Sequence, residues 1–368
     1  MGDDVARMRR ALKLARRALG RTAPNPLVGA VVVAGGQVVG EGYHHGPGTP
    51  HAEIHALSAA GSKAQGATLY VTLEPCCHTD KRTPPCVPAV LASGVERVVI
   101  GMTDPNPAVS GGGVRALEMA GVTVTVGVME TECQYLNAPY TQVFNTGLPW
   151  LTLKMAQTLD GKVATASGDS KWITGETARR YGHRLRDRHE AILVGAGTVL
   201  ADDPQLTCRI PGGRDPLPVV VDSNLSTPVD ARLLERSDGA RPVLCAVEGV
   251  DPSQIERLRM AGADVLTVAA VGGRVDLRAL LKILAARGVH RVLCEGGPTL
   301  SAALLAEGLV NRVACFIAPT LMGGDDARGS IGGKSPLTLA GVQRLGKISS
   351  RRLGSDLLLE ADILKNGS

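Results

Sequence analysis

One stretch, from His51 to Cys86, limits what this chain can fold into more than any other. It reads His51-Ala52-Glu53, then an apolar run from Ala67 to Leu73, then Glu74-Pro75-Cys76-Cys77 and Thr83-Pro84-Pro85-Cys86. His51, Cys76 and Cys86 offer three borderline-to-soft ligands. A catalytic zinc uses that number when its fourth position holds water. Zinc held this way lowers the pKa of its water to about 7. Glu53 stands outside the ligand count and is free to carry a proton from that water to a leaving amine. The fold must therefore bring these four side chains together.

The order His-x-Glu followed by Pro-Cys is that of the zinc nucleobase deaminases, whose second motif is P-C-x-x-C. Here nine residues, 77–85, separate the two cysteines, so the loop must leave and return. Pro84 and Pro85 stiffen its return. Chelation requires proximity in space, so the longer loop is tolerable. Two rival ligand sets exist. Cys77 could replace Cys76, and His51 could pair with His55 at a four-residue helical spacing. Metalloprotease helices place Glu directly after the first His, which this chain does not, so His55 reads as an ordinary helix residue. His51 and Glu53 would point about 200° apart on an ideal helix. They share a pocket only if His51 lies at the helix start, and Thr49-Pro50 support that placement.

A length of 368 residues fits two domains of ordinary size. The turn residues Gly147-Leu148-Pro149, ahead of a fresh strand at Trp150, place the boundary between 1–147 and 148–368. Aromatic content of 2% leaves few platforms for stacking bases, which argues against a single-strand nucleic-acid binder. The net charge of +5 is mild, and its one cluster is in the first helix, at Arg7, Arg9, Arg10, Lys13, Arg16 and Arg17. That cluster reads as a solvated face. Eight cysteines in this length read as reduced thiols of a cytoplasmic protein rather than a disulfide scaffold. No secretory leader or membrane-length apolar run is expected.

The pattern of periods is α/β throughout. The first half reads as a helix through residues 5–19, a hairpin of strands 28–33 and 37–42 around Gly35-Gly36, and strands 67–73, 97–102 and 122–126. Helices follow the zinc box, run through 114–120, and continue unbroken over 129–145. The expected sheet is covered on both faces. In the second half, strands at 150–155, 191–194, 217–221, 243–247, 265–268, 292–294, 313–317 and 357–363 alternate with helices at 176–186, 252–261, 277–286 and 299–306. Two glycine turns, Gly195-Ala196-Gly197-Thr198 and Glu295-Gly296-Gly297-Pro298-Thr299, close strands and open helices, a setting that favours phosphate. Neither has the G-x-G-x-x-G spacing, so a dinucleotide here would sit on a fold other than Rossmann. Asn25, between Pro24 and Pro26, is either a turn residue or a reader of a heterocycle edge. Asp202-Asp203-Pro204 reads as a loop rather than a metal pair. Arg186 and Arg209 could fork onto a phosphate.

Several runs together resemble one family. They are Pro24-Asn25-Pro26-Leu27-Val28-Gly29-Ala30, His51-Ala52-Glu53, Glu74-Pro75-Cys76, Arg82-Thr83-Pro84-Pro85-Cys86 and Asp104-Pro105-Asn106-Pro107 in the first half. In the second they are Lys154-Met155-Ala156, Leu159-Asp160-Gly161, Trp172-Ile173-Thr174, Thr198 to Pro204 and Glu295-Gly296-Gly297-Pro298. The chain resembles the bifunctional riboflavin-biosynthesis deaminase-reductases of bacteria.

The resemblance implies a cytidine-deaminase-like α/β/α domain followed by a dihydrofolate-reductase-like α/β domain. It implies zinc at His51, Cys76 and Cys86, with Glu53 as proton donor. It implies NADPH contacts at Ala156, Trp172, Thr198, Asp202, Ser223, Gly297, Pro298, Thr299, Leu300, Ser301, Ala302 and Ala303. Substrate contacts in the reductase are implied at Ser170, Arg186, Leu206, Arg209 and Glu295. The implied substrate is a small phosphorylated pyrimidine, deaminated first and then reduced from ribosyl to ribityl. The assembly implied is a dimer or larger. Many relatives have one residue fewer between the two cysteines, which bears on Lys81 and Arg82. Lys154 is either a cation assisting reduction or a strand-edge lysine. Two readings from other classes remain: a zinc deaminase of a base within nucleic acid, and a zinc-stabilised binding protein without catalysis.

Overall fold

Glycines decide how the first sheet is covered. The computed structural model describes residues 2–78 and 83–364. β1 (Gly29–Ala34) and β2 (Gln37–Tyr43) form an antiparallel hairpin across Gly35-Gly36. Both turn glycines have positive φ, 53° and 76°, as a two-residue hairpin loop requires. A Cβ on Gly29 would lie 2.1 Å from the Ala11 carbonyl oxygen of α1 (Gly2–Ala15). A Cβ on Gly42 would lie 2.4 Å from the Ala52 carbonyl oxygen of α2 (Ala52–Ala60). Gly42 pairs with Ala30, the neighbour of Gly29. Successive side chains alternate faces, so α1 and α2 cover opposite faces of this sheet.

The sheet continues through β3 (Thr68–Val71), β4 (Arg97–Ile100) and β5 (Thr123–Val126), in the order β2-β1-β3-β4-β5. β1 and β3 are antiparallel, whereas β3, β4 and β5 are parallel. The parallel strands are joined through α3 (Cys86–Ala92) and α4 (Gly112–Met119). The helix expected over 129–145 is two helices, α5 (Glu130–Leu136) and α6 (Ala138–Thr146). The break at Asn137 has a physical reason. Its buried side chain accepts from Leu27 N–H (2.8 Å) and donates to the Leu27 carbonyl (3.0 Å), holding the Pro24–Leu27 loop. Pro139 opens the second helix, where a proline is tolerated.

Two compact units divide at Gly147/Leu148. In the second, β6 (Trp150–Thr158) and β7 (Lys162–Ala164) precede α7 (Glu176–Asp187), β8 (Ala191–Gly195), α8 (Ala196–Asp202), β9 (Leu217–Val221), β10 (Val243–Val247), α9 (Pro252–Met260) and β11 (Asp264–Val268). A ribbon of β12 (Ala270–Val271) and β13 (Arg274–Val275) leads to α10 (Leu277–Ala286), β14 (Arg291–Cys294), α11 (Pro298–Ala306) and β15 (Arg312–Ala318). β16 (Arg328–Gly329) pairs with β7, and β17 (Ser349–Leu353) and β18 (Asp356–Asp362) close the chain. The main sheet runs β11-β10-β9-β8-β14-β6-β15-β18-β17. Its first seven strands are parallel and the last two antiparallel. Ala191 and Leu193 enter one core cluster and Ile192 and Val194 another, so both faces are buried. Among the described residues no helix is long and apolar enough to cross a membrane.

His189 is buried beneath this sheet, with Nδ1 2.6 Å from the Leu185 carbonyl and Nε2 3.1 Å from Thr152 Oγ1. The carbonyl requires hydrogen on Nδ1, so Nε2 accepts from the threonine. Burial pushes the ring down from 6.5 to about 4. Between those values the unfolded chain takes up a proton that the native ring refuses, so stability is lost as pH falls through this window. The second unit should lose about 2 kcal/mol between pH 7 and pH 5 from this ring alone. Both tryptophans, Trp150 and Trp172, lie in this unit, so denaturant unfolding followed by their fluorescence reads it. His189→Gln should flatten the pH slope; an unchanged slope would reject His189 as its source.

Candidate active sites

The first site forms where three chain segments end together. His51 immediately precedes α2 with extended backbone (φ −76°, ψ 167°), and Glu53 lies in the first turn of that helix. His51 thus stands at the helix start, as the shared pocket requires. That removes the 200° conflict and lets both side chains face one cavity. Cys76 lies in the loop after β3, and Cys86 is the first residue of α3. His51 Nδ1 lies 3.5 Å from Cys76 Sγ and 3.2 Å from Cys86 Sγ. The ligand atoms of these three residues all fall within 4.8 Å of one another. Cys77 and His55 are not part of the cluster. The His55 ring instead stacks on His45, with centroids 4.4 Å apart and planes at 17°.

These residues fit a zinc ion on three counts. His51 Nδ1 converges with two sulfurs, and its Nε2 lies 3.1 Å from Thr83 Oγ1, a partner that orients the ring. The Cys86 N–H donates to Cys76 Sγ at 3.4 Å, which favours thiolate. Glu53 is buried with Oε2 lacking a hydrogen-bond partner. Burial lifts its carboxyl above the ordinary range, and the nearby Cys76 sulfur adds to this. A carboxyl so placed is suited to hold and release a proton.

The cavity around them has a volume of about 510 Å³. Asn25 and His44 line it, with Asn25 Nδ2 2.9 Å from His44 Nε2. His44 Nδ1 lies 3.2 Å from the Pro50 carbonyl, so it carries the hydrogen and Nε2 accepts from Asn25. That fixes the orientation of the Asn25 amide. Glu74 had been assigned no role. Its buried carboxylate accepts from the N–H groups of Asp104 (3.2 Å), Gly111 (3.0 Å) and Val114 (3.1 Å), so one side chain hangs the whole 104–114 wall. Its position directly before Pro75-Cys76 was the available signal. Asp104 is pushed up to about 6 by burial and accepts from Tyr140 Oη at 3.2 Å. Lys81 and Arg82 lie outside the described residues.

The second site gathers at the carboxyl ends of the adjacent strands β8, β14 and β6, where open α/β sheets bind ligands. Glu295, just past β14, is gripped by Arg186 of α7 through Nε (2.7 Å) and Nη2 (3.0 Å). Lys154 Nζ lies 3.5 Å from the same carboxylate. Burial pushes Glu295 up, but the charges of Arg186 and Lys154 outweigh it and hold the carboxyl well below its usual range. A cavity of about 740 Å³ opens over this cluster. Its walls include Ala156, Ser170, Trp172, Thr198, Asp202, Leu206, Arg209, Gly297, Pro298 and Ser301, besides Arg186 and Glu295.

Five residues implied by the resemblance do not line that cavity. Thr299, Leu300, Ala302 and Ala303 lie on α11, where Leu300 is buried in the core and Ala303 packs against it. Ser223 follows β9, and its Oγ accepts from Val275 N–H at 3.2 Å. The residues present fit a dinucleotide. Gly297 caps α11 without any side-chain acceptor, so amides of the first turn remain for an anion. A Cβ on Gly296 would lie 2.9 Å from Leu300 and 3.1 Å from the Val194 backbone. Asp202 pairs with Lys171 at 3.1 Å, and Asp203 accepts from Arg232 N–H at 2.9 Å.

Comparison with known proteins covers both units. The family described as cytidine and deoxycytidylate deaminase zinc-binding region matches residues 1–102, and the RibD C-terminal domain family matches residues 149–359. A riboflavin biosynthesis protein RibD from Actinobacillus pleuropneumoniae is 44% identical, over 97% of this chain and 94% of that one. The Escherichia coli protein of the same name is 42% identical over 97% and 98%. The solved structure of Acinetobacter baumannii RibD superposes with a TM-score of 0.88 at 37% identity, covering 99% of each chain. A Thermotoga maritima structure described as a diaminohydroxyphosphoribosylaminopyrimidine deaminase/5-amino-6-(5-phosphoribosylamino)uracil reductase gives 0.84 at 36%, again over 99% of each.

The three-ligand geometry makes a direct prediction. Cys86→Ala should leave the protein without stoichiometric zinc by elemental analysis, whereas Cys77→Ala should retain it. The opposite pattern would exchange the two cysteines as ligands.

Proposed function

The chain belongs to the RibD family of riboflavin-biosynthesis enzymes, which join a deaminase to a reductase, and on that premise we propose how its two sites divide the work. The first unit, 1–147, hydrolyses the ring amine of 2,5-diamino-6-(5-phosphoribosylamino)pyrimidin-4-one and releases ammonia. The second unit, 148–368, reduces the ribosyl group of the product to ribityl with NADPH. The observation that supports this most is the convergence of His51, Cys76 and Cys86 beside a buried, partly unpaired Glu53. The relatives do not favour a nucleic-acid deaminase or a binding protein without catalysis.

In the first site, a zinc held by His51, Cys76 and Cys86 would supply a water that is acidic near neutral pH. Glu53 takes a proton from the attacking water and delivers it to the departing nitrogen, which leaves as ammonia. Its raised pKa suits both halves of that transfer. Asn25, oriented by His44, reads the pyrimidine edge, and the 104–114 wall hung on Glu74 closes the far side.

In the second site, NADPH supplies hydride. The chain's own residues orient the reactants, and no covalent residue is needed. The uncapped start of α11 receives a cofactor phosphate, and Trp172, Thr198 and Asp202 flank the rest. Ser170 and Arg209 face the substrate phosphate, while Arg186 is committed to Glu295. Lys154, 3.5 Å from Glu295, is placed to stabilise negative charge that develops on the sugar oxygen. Among the described residues no cysteine is joined in a disulfide, and a cytoplasmic setting belongs to the proposed reading.

Glu53→Gln should keep zinc and should still reduce the isolated deaminated intermediate. Its ammonia release should fall at least about 100-fold. Supplying the diaminopyrimidinone and NADPH together tests the whole sequence. Wild type should consume NADPH, and Glu53→Gln should not until the deaminated intermediate is added. Ammonia release retained in the variant would remove Glu53 from the reaction.

A further inference from the structure

Trp172 is a large apolar side chain that the core does not use. It is 69% exposed, and it lies on the wall of the second cavity. The guanidinium of Arg179 sits over its ring, 4.8 Å from the centroid. Arg179 lines the same cavity, and among the described residues no carboxylate pairs with it. Its Nη1 donates to the Thr174 carbonyl at 2.6 Å, which sets the plane of the guanidinium.

The two residues come from parts of the chain held in different ways. Arg179 belongs to the first turns of α7, and its N–H donates to Gly175 at 3.1 Å. Gly175 N–H in turn donates at 2.7 Å to Asp356, a buried carboxylate on β18. Arg179 is therefore fixed to the main sheet. Among the described residues Trp172 has no such backbone anchor. It follows Lys171, whose ammonium reaches Asp202 across 3.1 Å. The indole is thus set by Lys171 on the neighbouring residue and by the Arg179 cation against its ring. A cation over the face of an exposed indole contributes enough to bias its rotamer but too little to matter to the stability of the fold.

We propose that Arg179 is a positioning residue for NADPH: it holds Trp172 in the orientation against which the cofactor packs, and acts through that ring rather than by touching the cofactor. This rests on reading the cavity as the NADPH site. Ordering the indole before binding removes part of the entropy that binding would otherwise have to supply. Arg179 thereby sets the affinity of a site whose phosphate-binding groups lie elsewhere, at the start of α11.

A double-mutant cycle tests the route of action, with NADPH dissociation constants measured by calorimetry on the full chain. Arg179→Ala should weaken NADPH binding about two- to fivefold. Trp172→Ala should weaken it by at least as much, and adding Arg179→Ala to that variant should change nothing further. Arg179→Lys, which keeps the charge but not the plane, should fall between wild type and Arg179→Ala. The thermal midpoint without NADPH should be the same in wild type and all four variants. An Arg179 effect that persists in full without Trp172 would overturn the proposal and make Arg179 a direct contact of the cofactor. An Arg179→Ala variant that binds NADPH like wild type would overturn it as well. Failure of the wild-type chain to bind NADPH at all would overturn the cofactor reading itself, and the role of Arg179 with it.

Discussion

The first site depends on the burial of negative charge without enough protein to balance it. Glu53 is almost fully enclosed with one carboxylate oxygen unpaired, and two cysteine sulfurs lie in the same pocket. An uncompensated buried charge is far more expensive than a buried apolar group. The described lining of this cavity contains no lysine or arginine that could offset it. A divalent cation held by His51, Cys76 and Cys86 would do so directly. The same ion would convert the raised affinity of Glu53 for protons from a liability into the means of moving one. The surrounding loops make sense on these terms. Asn137 ties down the Pro24–Leu27 loop, and Glu74 ties down the 104–114 wall, so polar backbone around the cavity is satisfied by fixed side chains.

The second site solves the opposite problem. Its buried carboxylate, Glu295, is surrounded by cations from the protein itself, so no metal is called for. Arg186 grips it with two parallel hydrogen bonds, a geometry only the guanidinium fork provides. Lys154 approaches at 3.5 Å without that commitment, and remains able to answer charge elsewhere in the cavity. Arg209 also lines the cavity, and among the described residues no carboxylate pairs with it. Reduction at such a site relies on charges fixed before the substrate arrives.

The fold was legible wherever apolar period and turn chemistry agreed. The Gly35-Gly36 hairpin, the strands at 217–221 and 243–247, and the helix at 277–286 are found where the pattern puts them. Disagreement came where a tertiary contact overrode the local signal. The helical period across 129–145 runs straight through Asn137, because nothing nearby in sequence shows that this side chain must pair with Leu27, 110 residues away. The edge strand β17 was missed because Ser349, Ser350, Arg351 and Arg352 are all exposed and so carry no alternation. The short helix α8 starts at the glycine turn expected to open a helix, but its seven residues are too few to show a period of their own.

The two sites differed in legibility for a chemical reason. Chelation demands particular residue types, so His51, Cys76 and Cys86 stand out despite the long loop between the cysteines. Even there, the two-residue spacing of His51 and Glu53 serves one pocket only because His51 stands at the helix start, with extended backbone ahead of Ala52. Hydride transfer demands position rather than a residue type. The residues around its cavity are spread over several elements and their loops, and most are common residues doing ordinary things locally. Arg186 looks like any helical arginine until β14 delivers Glu295 opposite it. Arg179 looks like its exposed neighbour Arg180, which merely pairs with Glu176 one turn back. Only the placement of an exposed indole 4.8 Å beneath it separates the two, and that follows from the path of a loop rather than from any motif. A site built on geometry alone therefore leaves its weakest trace in sequence at the residues that tune it, and these are the residues a structure is needed to find.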